Sequence, residues 1–540
     1  MPTPSLYTLG LDFGTLSVRA LIVDTRDGRA VAEAVSEYAH GVMDAALPDG
    51  TPLPPRFALQ HPQDYLDSMK ASIREALSAA YTAEGVAPDH IAALGVDFTA
   101  CTMLPVDRAG MPLCRDPAFA GEPHAYVKLW KHHGATEEAD ELNALAAARV
   151  EPWLASYGGT VSCEWMLPKI LETLRKAPDV FKAAYRFTEA ADWLSLMLTG
   201  NETHAAAFAG YKGLWQDGAY PSEDFLAALD PALRGLVGSR ISPIVSPVSG
   251  IAGRLNNRGA ALTGLPAGTP VALPMIDAHA VLPALGMTRA GDLTVILGTS
   301  TCHILNAAEA KEVTGICGYT EDGVIPSLCT YEAGQAAVGD CFDWFVKNCV
   351  PASYTEAARA AGVSVHAYLR LLAERKAPGE SGVMALDWWN GNRSILVDPT
   401  LTGIIVGLTL ATRPEDIYRA LIEATAFGTK VIVEQYEAFG IPINHIMAAG
   451  GIARKDPLMM QIYADVLNRP VEVSETTQAG ALGSAIYAAV AGGMYASVTE
   501  AADRMAAKVE RMYTPNPGAA QAYAEMFRRY RELHDHFGKR

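Results

Sequence analysis

The sequence predicts an α/β protein built as two similar halves. Three observations carry this. The 540-residue chain is too long for a single hydrophobic core. Short apolar runs with strand character alternate with segments of helical period. A strand–turn–strand device also occurs twice, roughly 280 residues apart, as Phe13-Gly14-Thr15 and Leu297-Gly298-Thr299.

Composition narrows the function classes. Half the residues are apolar and 19% are charged, as in an ordinary soluble globular protein. The net charge of −17 argues against non-specific binding to nucleic acid or an anionic membrane. The eight cysteines have no metal-ligand spacing and read as buried thiols in a reducing compartment. The N-terminus has neither a basic region nor a long apolar core, so it does not read as a signal peptide. Thr476–Thr499 carries no charge, but its Ala, Gly, Ser and Thr suit a helix packed inside protein better than a lipid span.

The first device is two strands, Leu6–Phe13 and Ser17–Asp24, joined at Gly14-Thr15-Leu16. Gly14 is expected to permit a backbone conformation that other residues resist. The turn can aim N–H groups and the Thr15 and Ser17 hydroxyls at one anion. Asp12 lies at its mouth. A carboxylate faces phosphate only through a cation, so these residues read either as a phosphate-and-Mg²⁺ hairpin or as an ordinary hairpin with a solvated Asp.

Arg29–Tyr38 follows as a third strand and His40–Gln60 as a long surface loop. Pro62–Glu84 predicts a helix, with Tyr65, Met69, Ile73, Leu77 and Tyr81 four apart. Ile91–Cys101 is a buried strand opening onto a cleft, where Asp97 either functions or caps a turn. In Phe119–His133, the adjacent His132 and His133 would point about 100° apart on a helix and could not chelate one metal. Trp130 is equally a core residue or a flat wall for a sugar. Cys163–Leu174 and Ala190–Thr199 read as helices. Lys212, amid Gly and aromatics, is equally a ligand for a hydroxyl or phosphate or a surface Lys lying along apolar neighbours. The apolar run Val271–Ala280 delivers Asp277, for which a general-base role is favoured over an N-cap.

The second device spans Asp292–Leu305, with Ile296 where the first has Asp12. Both turns can hold phosphate, but only the first brings a carboxylate. Tyr331–Gln335 reads as a small-residue turn. Its Glu332 could bind a ligand, although solvation is favoured on these residues alone. Val365–Glu374 is an amphipathic helix, Arg375–Gly379 a surface turn and Leu386–Arg393 a polar loop. Pro414–Gly440 is a long helix. After the strand Ile443–Ala448, Gly450 and Gly451 let a flat ligand such as adenosine approach the backbone. No G-x-G-x-x-G or G-x-x-x-x-G-K-[ST] pattern accompanies them. Gln478–Val490 is a tightly packed helix and Ala519–Phe537 a docked terminal one, with Lys539-Arg540 beyond it.

Two Gly-Thr hairpins, one with Asp, and a Gly-Gly turn together resemble the superfamily of actin, hexokinase and the heat-shock chaperone ATPases. Gly403–Glu423, opening Gly-Ile-Ile-Val-Gly-Leu, resembles the signature of the FGGY carbohydrate kinases. Gly95–Thr102, Leu129–His133, Ala209–Lys212, Asp277–His279, Tyr331–Gln335 and Leu386–Arg393 resemble the branch of that family that phosphorylates L-ribulose. Ala278, after the base, leans away from glycerol and towards a pentulose.

The resemblance implies two actin-like (ribonuclease H-like) domains around a deep ATP/sugar cleft. One spans residues 1–286, with the sugar site and the base; the other spans 287–540, with the nucleotide site and the terminal helix. A hinge is implied near Ala284–Gly291. ATP and Mg²⁺ are the implied cofactors. Asp277 is the implied base and Asp12 the residue placing Mg²⁺. Gly14, Thr15, Gly298, Thr299 and Ser300 form the phosphate cradle, and Gly450 and Gly451 the adenosine turn. Ala100, Lys212, Glu332 and Trp130 hold the sugar. The implied partner is a small sugar, L-ribulose or a related pentulose. No nucleic acid or membrane is expected, the assembly is a homodimer and the location is cytoplasmic. The implied reaction is L-ribulose + ATP → L-ribulose 5-phosphate + ADP. The alternatives are a family member acting on D-ribulose, ribitol or xylulose, an ATP-driven switch without kinase activity, and a filament protein.

Overall fold

A computed structural model of the chain describes residues 7–248 and 250–538. Leu6, expected to open the first strand, and Lys539-Arg540 lie outside the described residues. The chain divides into two compact units. The first is Met1–Thr288 with Tyr319–Thr330 and Gln478–Ala507; the second is Arg289–Gly318, Tyr331–Thr477 and Lys508–Arg540.

In the first unit, Tyr7–Phe13 and Ser17–Asp24 pair antiparallel from Tyr7↔Asp24 to Phe13↔Val18. The sheet order is 30–37, 17–24, 7–13, 91–98, 270–272 and 251–254, with 275–276 also paired to 91–98. Strands 7–13 and 91–98 run parallel, so their tips deliver residues to the same end. The helix Ala479–Ala491 packs on them. Gly10 and Gly95 allow this approach, because a Cβ at either would run into the backbone of Ala481 or Ser484. The helix Pro62–Glu84 has its expected bounds. His61 caps it, Pro62 opens it and Gly85 ends it at φ +69°.

Phe119–His133 is not helical. It contains a short turn at Pro123–Ala125 and the strand Val127–Lys128, part of a smaller sheet with 59–60, 103–106 and 186–189. The strand buries Lys128, whose ammonium donates to Glu172 Oε2 at 2.6 Å. His132 Nε2 contacts the same oxygen at 2.9 Å.

In the second unit, Asp292–Leu297 and Thr301–Ala307 form the second hairpin, with Leu293↔Leu305 in register. The sheet runs 329–335, 301–307, 292–297, 445–449, 471–474 and 509–513. Tyr331–Gln335 therefore lies within the strand Cys329–Gln335 and is not a turn. Six of the strand's seven residues are buried, so its small residues pack inside a sheet. The long helix Pro414–Ala438 holds the terminal helix Pro517–Gly538 through polar bonds. Arg419 donates to the Tyr523 hydroxyl at 2.7 Å, and Tyr523 donates to Glu423 at 2.9 Å.

None of the eight cysteines forms a disulfide; Cys101, Cys114, Cys329 and Cys341 are buried as expected, but Cys163, Cys302 and Cys317 are half-buried and Cys349 is exposed. Among the described residues, no helix is long and apolar enough to cross a membrane.

Candidate active site

The first hairpin turn is held from several sides. The Gly14 N–H donates to the Ser17 carbonyl at 3.1 Å. Tyr38 Oη donates to the Gly14 carbonyl at 3.1 Å, and Gln60 Nε2 to the Thr15 carbonyl at 2.7 Å. Gly14 does not adopt the left-handed backbone expected of it. A Cβ there would meet only the Ser17 carbonyl, at 3.7 Å, so what glycine supplies is open space above the turn. Trp130 is 39% exposed, which removes the core reading. Its Nε1 donates to Thr15 Oγ1 at 3.1 Å and sets the indole beside the turn.

The strand tips below gather three carboxylates. Asp12 stands opposite Asp97 in register, and Met275, two residues before Asp277, also pairs with Asp97. Asp277 opens the helix Asp277–Ala284 and accepts the Ala278 N–H at 2.7 Å. Arg19 donates to Asp12 Oδ2 at 3.2 Å, and Ser484 to Asp97 Oδ2 at 2.7 Å. Asp97 is fully buried, and its Oδ1 has no hydrogen-bond partner. Burial, and then the neighbouring Asp12 carboxylate, push Asp97 well above the usual carboxylate range, with Asp277 adding to the effect. A Cβ on Gly480 would stand 3.2 Å from Asp12 Oδ2 and 3.4 Å from Asp97 Oδ2, so both carboxylates border one small space. An orphaned buried oxygen and an oxygen-only donor set fit a hard divalent cation.

Ala100 lies on the turn after strand 91–98, where Cys101 takes φ +57°. Lys169 Nζ donates to the Cys101 carbonyl at 2.7 Å and fixes this turn. Lys212 ends the helix Ala206–Lys212, with its ammonium 5.3 Å from the centre of the Trp165 ring. Burial, and then Glu189, push the Cys101 thiol up, while Lys169 and Lys212 oppose them. The first unit thus collects Asp12, Gly14, Thr15, Ala100, Trp130, Lys212 and Asp277.

Gly298, Thr299, Ser300, Glu332, Gly450 and Gly451 belong to the second unit. There the second turn is one residue tighter than the first, with the Gly298 N–H donating to the carbonyl of Ser300, two residues on, at 3.0 Å. Gly298, Thr299 and Gly451 line a cavity of about 600 Å³ together with Phe342, Arg370 and Tyr418. Gly450 adopts φ +96°, and a Cβ there would strike the backbone of Leu297. At Gly451 a Cβ would meet nothing within 4 Å. Ser300, Gly450 and Glu332 do not line the cavity. Glu332 is half-buried, and its carbonyl accepts the Cys317 N–H at 2.8 Å. Phe342, Arg370 and Tyr418 went unsuspected because each comes from a different helix with no local motif.

The N-terminal domain model of the FGGY family of carbohydrate kinases matches residues 7–282, and its C-terminal domain model matches residues 293–492. The chain belongs to the FGGY family of carbohydrate kinases. A ribulokinase of Bacillus licheniformis is 46% identical over 530 residues, covering 97% of this chain and 95% of that protein. A ribulokinase of Geobacillus thermodenitrificans is 46% identical over 540 residues, covering 99% and 95%. A xylulose kinase structure from Rhodospirillum rubrum superposes with a TM-score of 0.81 at 25% identity, covering 99% of this chain and 100% of that one. The protein is therefore a carbohydrate kinase of actin-like α/β fold, with ATP as phosphoryl donor.

Proposed function

We propose that this kinase transfers the γ-phosphoryl group of ATP to O5 of L-ribulose, giving L-ribulose 5-phosphate and ADP, as a step in L-arabinose catabolism. The observation that carries the reading is 46% identity to proteins named ribulokinase over 97% or more of the chain. Likeness of fold alone would not choose the sugar, since the superposed structure is a xylulose kinase.

Phosphoryl transfer is mostly positioning and charge neutralisation. Asp277 accepts the O5 proton as the new bond to phosphorus forms. The helix it opens, and its bond to the Ala278 N–H, hold the carboxylate in one orientation. Ala100, Lys212 and Glu332 bind the sugar hydroxyls, and Trp130 covers the sugar from the side of Thr15. The turns at Gly14-Thr15 and Gly298-Thr299-Ser300 present N–H and hydroxyl groups to the phosphates. Gly450 shapes the turn that admits adenosine, and Gly451 leaves room for it. Asp12, with Asp97 beside it, would hold Mg²⁺. When bound, that ion neutralises phosphate charge.

The test is ADP release with ATP and Mg²⁺ against L-ribulose, D-ribulose, ribitol, D-xylulose and glycerol. Turnover on L-ribulose far above the others is expected. Preference for another polyol would keep the kinase and overturn the substrate. Hydrolysis independent of sugar would overturn the role of Asp277.

A further inference from the structure

The loop between residues 40 and 61 begins and ends at a histidine, one in contact with the Asp64 carboxylate and the other within 4.8 Å of it. Asp64 accepts the His40 backbone N–H at 2.9 Å, and its Oδ1 lies 2.9 Å from His40 Nδ1. The His40 and His61 rings lie 5.0 Å apart, tilted by 32°. One ligating atom from each of His40, His61 and Asp64 lies within 4.8 Å of one from each of the others. No other such group of His, Cys, Asp and Glu occurs among the described residues. We propose that His40, His61 and Asp64 form a binding site for a borderline divalent transition ion, zinc above all, distinct from the carboxylates that face the phosphates.

The chemistry favours zinc over magnesium. Two imidazoles and one carboxylate suit a borderline ion, whereas Mg²⁺ takes oxygen ligands and keeps its water. Ligating atoms in a tetrahedral zinc site lie about 3.3 Å apart, so the trio must contract by roughly 1.5 Å at most. His40 is exposed and can supply that movement by side-chain rotation, while Asp64 is buried and fixed. His61 Nδ1 accepts the Gln63 N–H at 3.2 Å, so ligation either takes that same lone pair or moves the ring proton onto Nδ1 to free Nε2, and in both cases it gives up this cap bond.

The site sits at the root of the segment that grips the first phosphate turn. Tyr38, two residues before His40, donates its N–H to the Leu16 carbonyl and its hydroxyl to Gly14. Gln60, next to His61, donates to Thr15. An ion at this point ties both ends of the loop together and stiffens the supports of residues 14–16.

The experiment uses the full chain, stripped with EDTA and titrated with Zn²⁺ alone by calorimetry. Wild type is expected to bind one ion that the double variant His40→Gln/His61→Asn does not bind. Asn is chosen at 61 because it preserves the helix cap. Each single variant should weaken binding at least about tenfold, since even losses outside the coordination sphere cost that much. Equal binding by wild type and the double variant overturns the site. A second measurement needs no variant. Zn²⁺ should slow amide exchange at residues 38–41 and 59–64 of the wild-type protein, and exchange there that ignores Zn²⁺ also overturns it.

Discussion

Asp12 and Asp97 stand in register on two parallel strands, and both carboxylates border the space over Gly480. One is braced by Arg19 and the other only by the Ser484 hydroxyl. The pair is asymmetric as a result, and Asp97 carries the burden of burial.

That asymmetry predicts how Asp97→Asn behaves in the metal-free protein. The folded state raises Asp97 above its unfolded value of about 3.9. Its contribution is therefore fully favourable below about pH 4 and is lost as pH rises towards the folded value. Asn cannot ionise and still accepts from Ser484. The variant should melt at or above the wild-type temperature, with the advantage larger at pH 8 than at pH 5. Asp97→Ala, which leaves the Ser484 hydroxyl unpaired, should instead cost about 1–3 kcal/mol. Thermal melts across pH check both, and an Asn variant that loses stability as pH rises would contradict the assignment. The same Asn variant should bind Mg²⁺ more weakly, read by calorimetry without turnover.

Asp277→Asn should abolish sugar phosphorylation, lowering kcat by at least about 100-fold, the ordinary scale of general-base loss. Its nucleotide affinity should stay near that of wild type, because Asp277 is not among the residues that line the cavity beside Gly298 and Gly451. Single-turnover assays with equilibrium ADP binding separate the two. Near-normal turnover would remove Asp277 from the reaction.

Lys128, His132 and Glu172 form a buried charged cluster in the first unit. Burial alone would raise the Glu172 carboxyl, but Lys128 and His132 outweigh it and hold the group below the usual carboxylate range. Its stabilising contribution is present above the unfolded value of about 4.3 and is lost as pH falls. Glu172→Gln leaves the Lys128 ammonium buried without its counter-charge and should cost about 3–5 kcal/mol at pH 7. The gap between wild type and variant should narrow in acid. Denaturant midpoints at pH 7 and pH 4 test the sign.

What the sequence showed depended on how local the signal was. The helix Pro62–Glu84 declares its own ends, with Pro62 at the start and Gly85 after the finish. Ala190–Thr199 does the same through Gly200, and the two hairpins declare themselves by repetition. Lys128 was invisible as a buried ion, because its partner Glu172 is 44 residues away. Still longer separations in sequence hid the place of Arg370 and Tyr418 in the cavity beside Gly298 and Gly451. Glu332 was misplaced on a turn because small residues were taken as punctuation where they pack within a strand. Gly14 was expected to take a backbone conformation that other residues resist, whereas in its turn it supplies open space. The pairing of His40 with His61 and Asp64 joins two ends of a loop, and only the His-x-x-Asp spacing at the helix start hinted at it.

The adjacent glycines 450 and 451 are expected to respond oppositely to one methyl group. Gly450 has φ +96°, and a Cβ would strike Leu297, so Gly450→Ala should cost about 1–3 kcal/mol and distort the turn. Gly451 opens a short helix and faces empty space, so Gly451→Ala should leave the melting temperature unchanged or slightly raised. Yet Gly451 lines the cavity proposed for adenosine, and the added methyl group would stand where the base approaches. Gly451→Ala should therefore raise the KM for ATP several-fold while kcat at saturating ATP and the KM for sugar stay close to wild type. Melting curves and steady-state kinetics on the two variants decide the matter. A stable Gly451→Ala protein with an unaltered KM for ATP would move the nucleotide away from this turn.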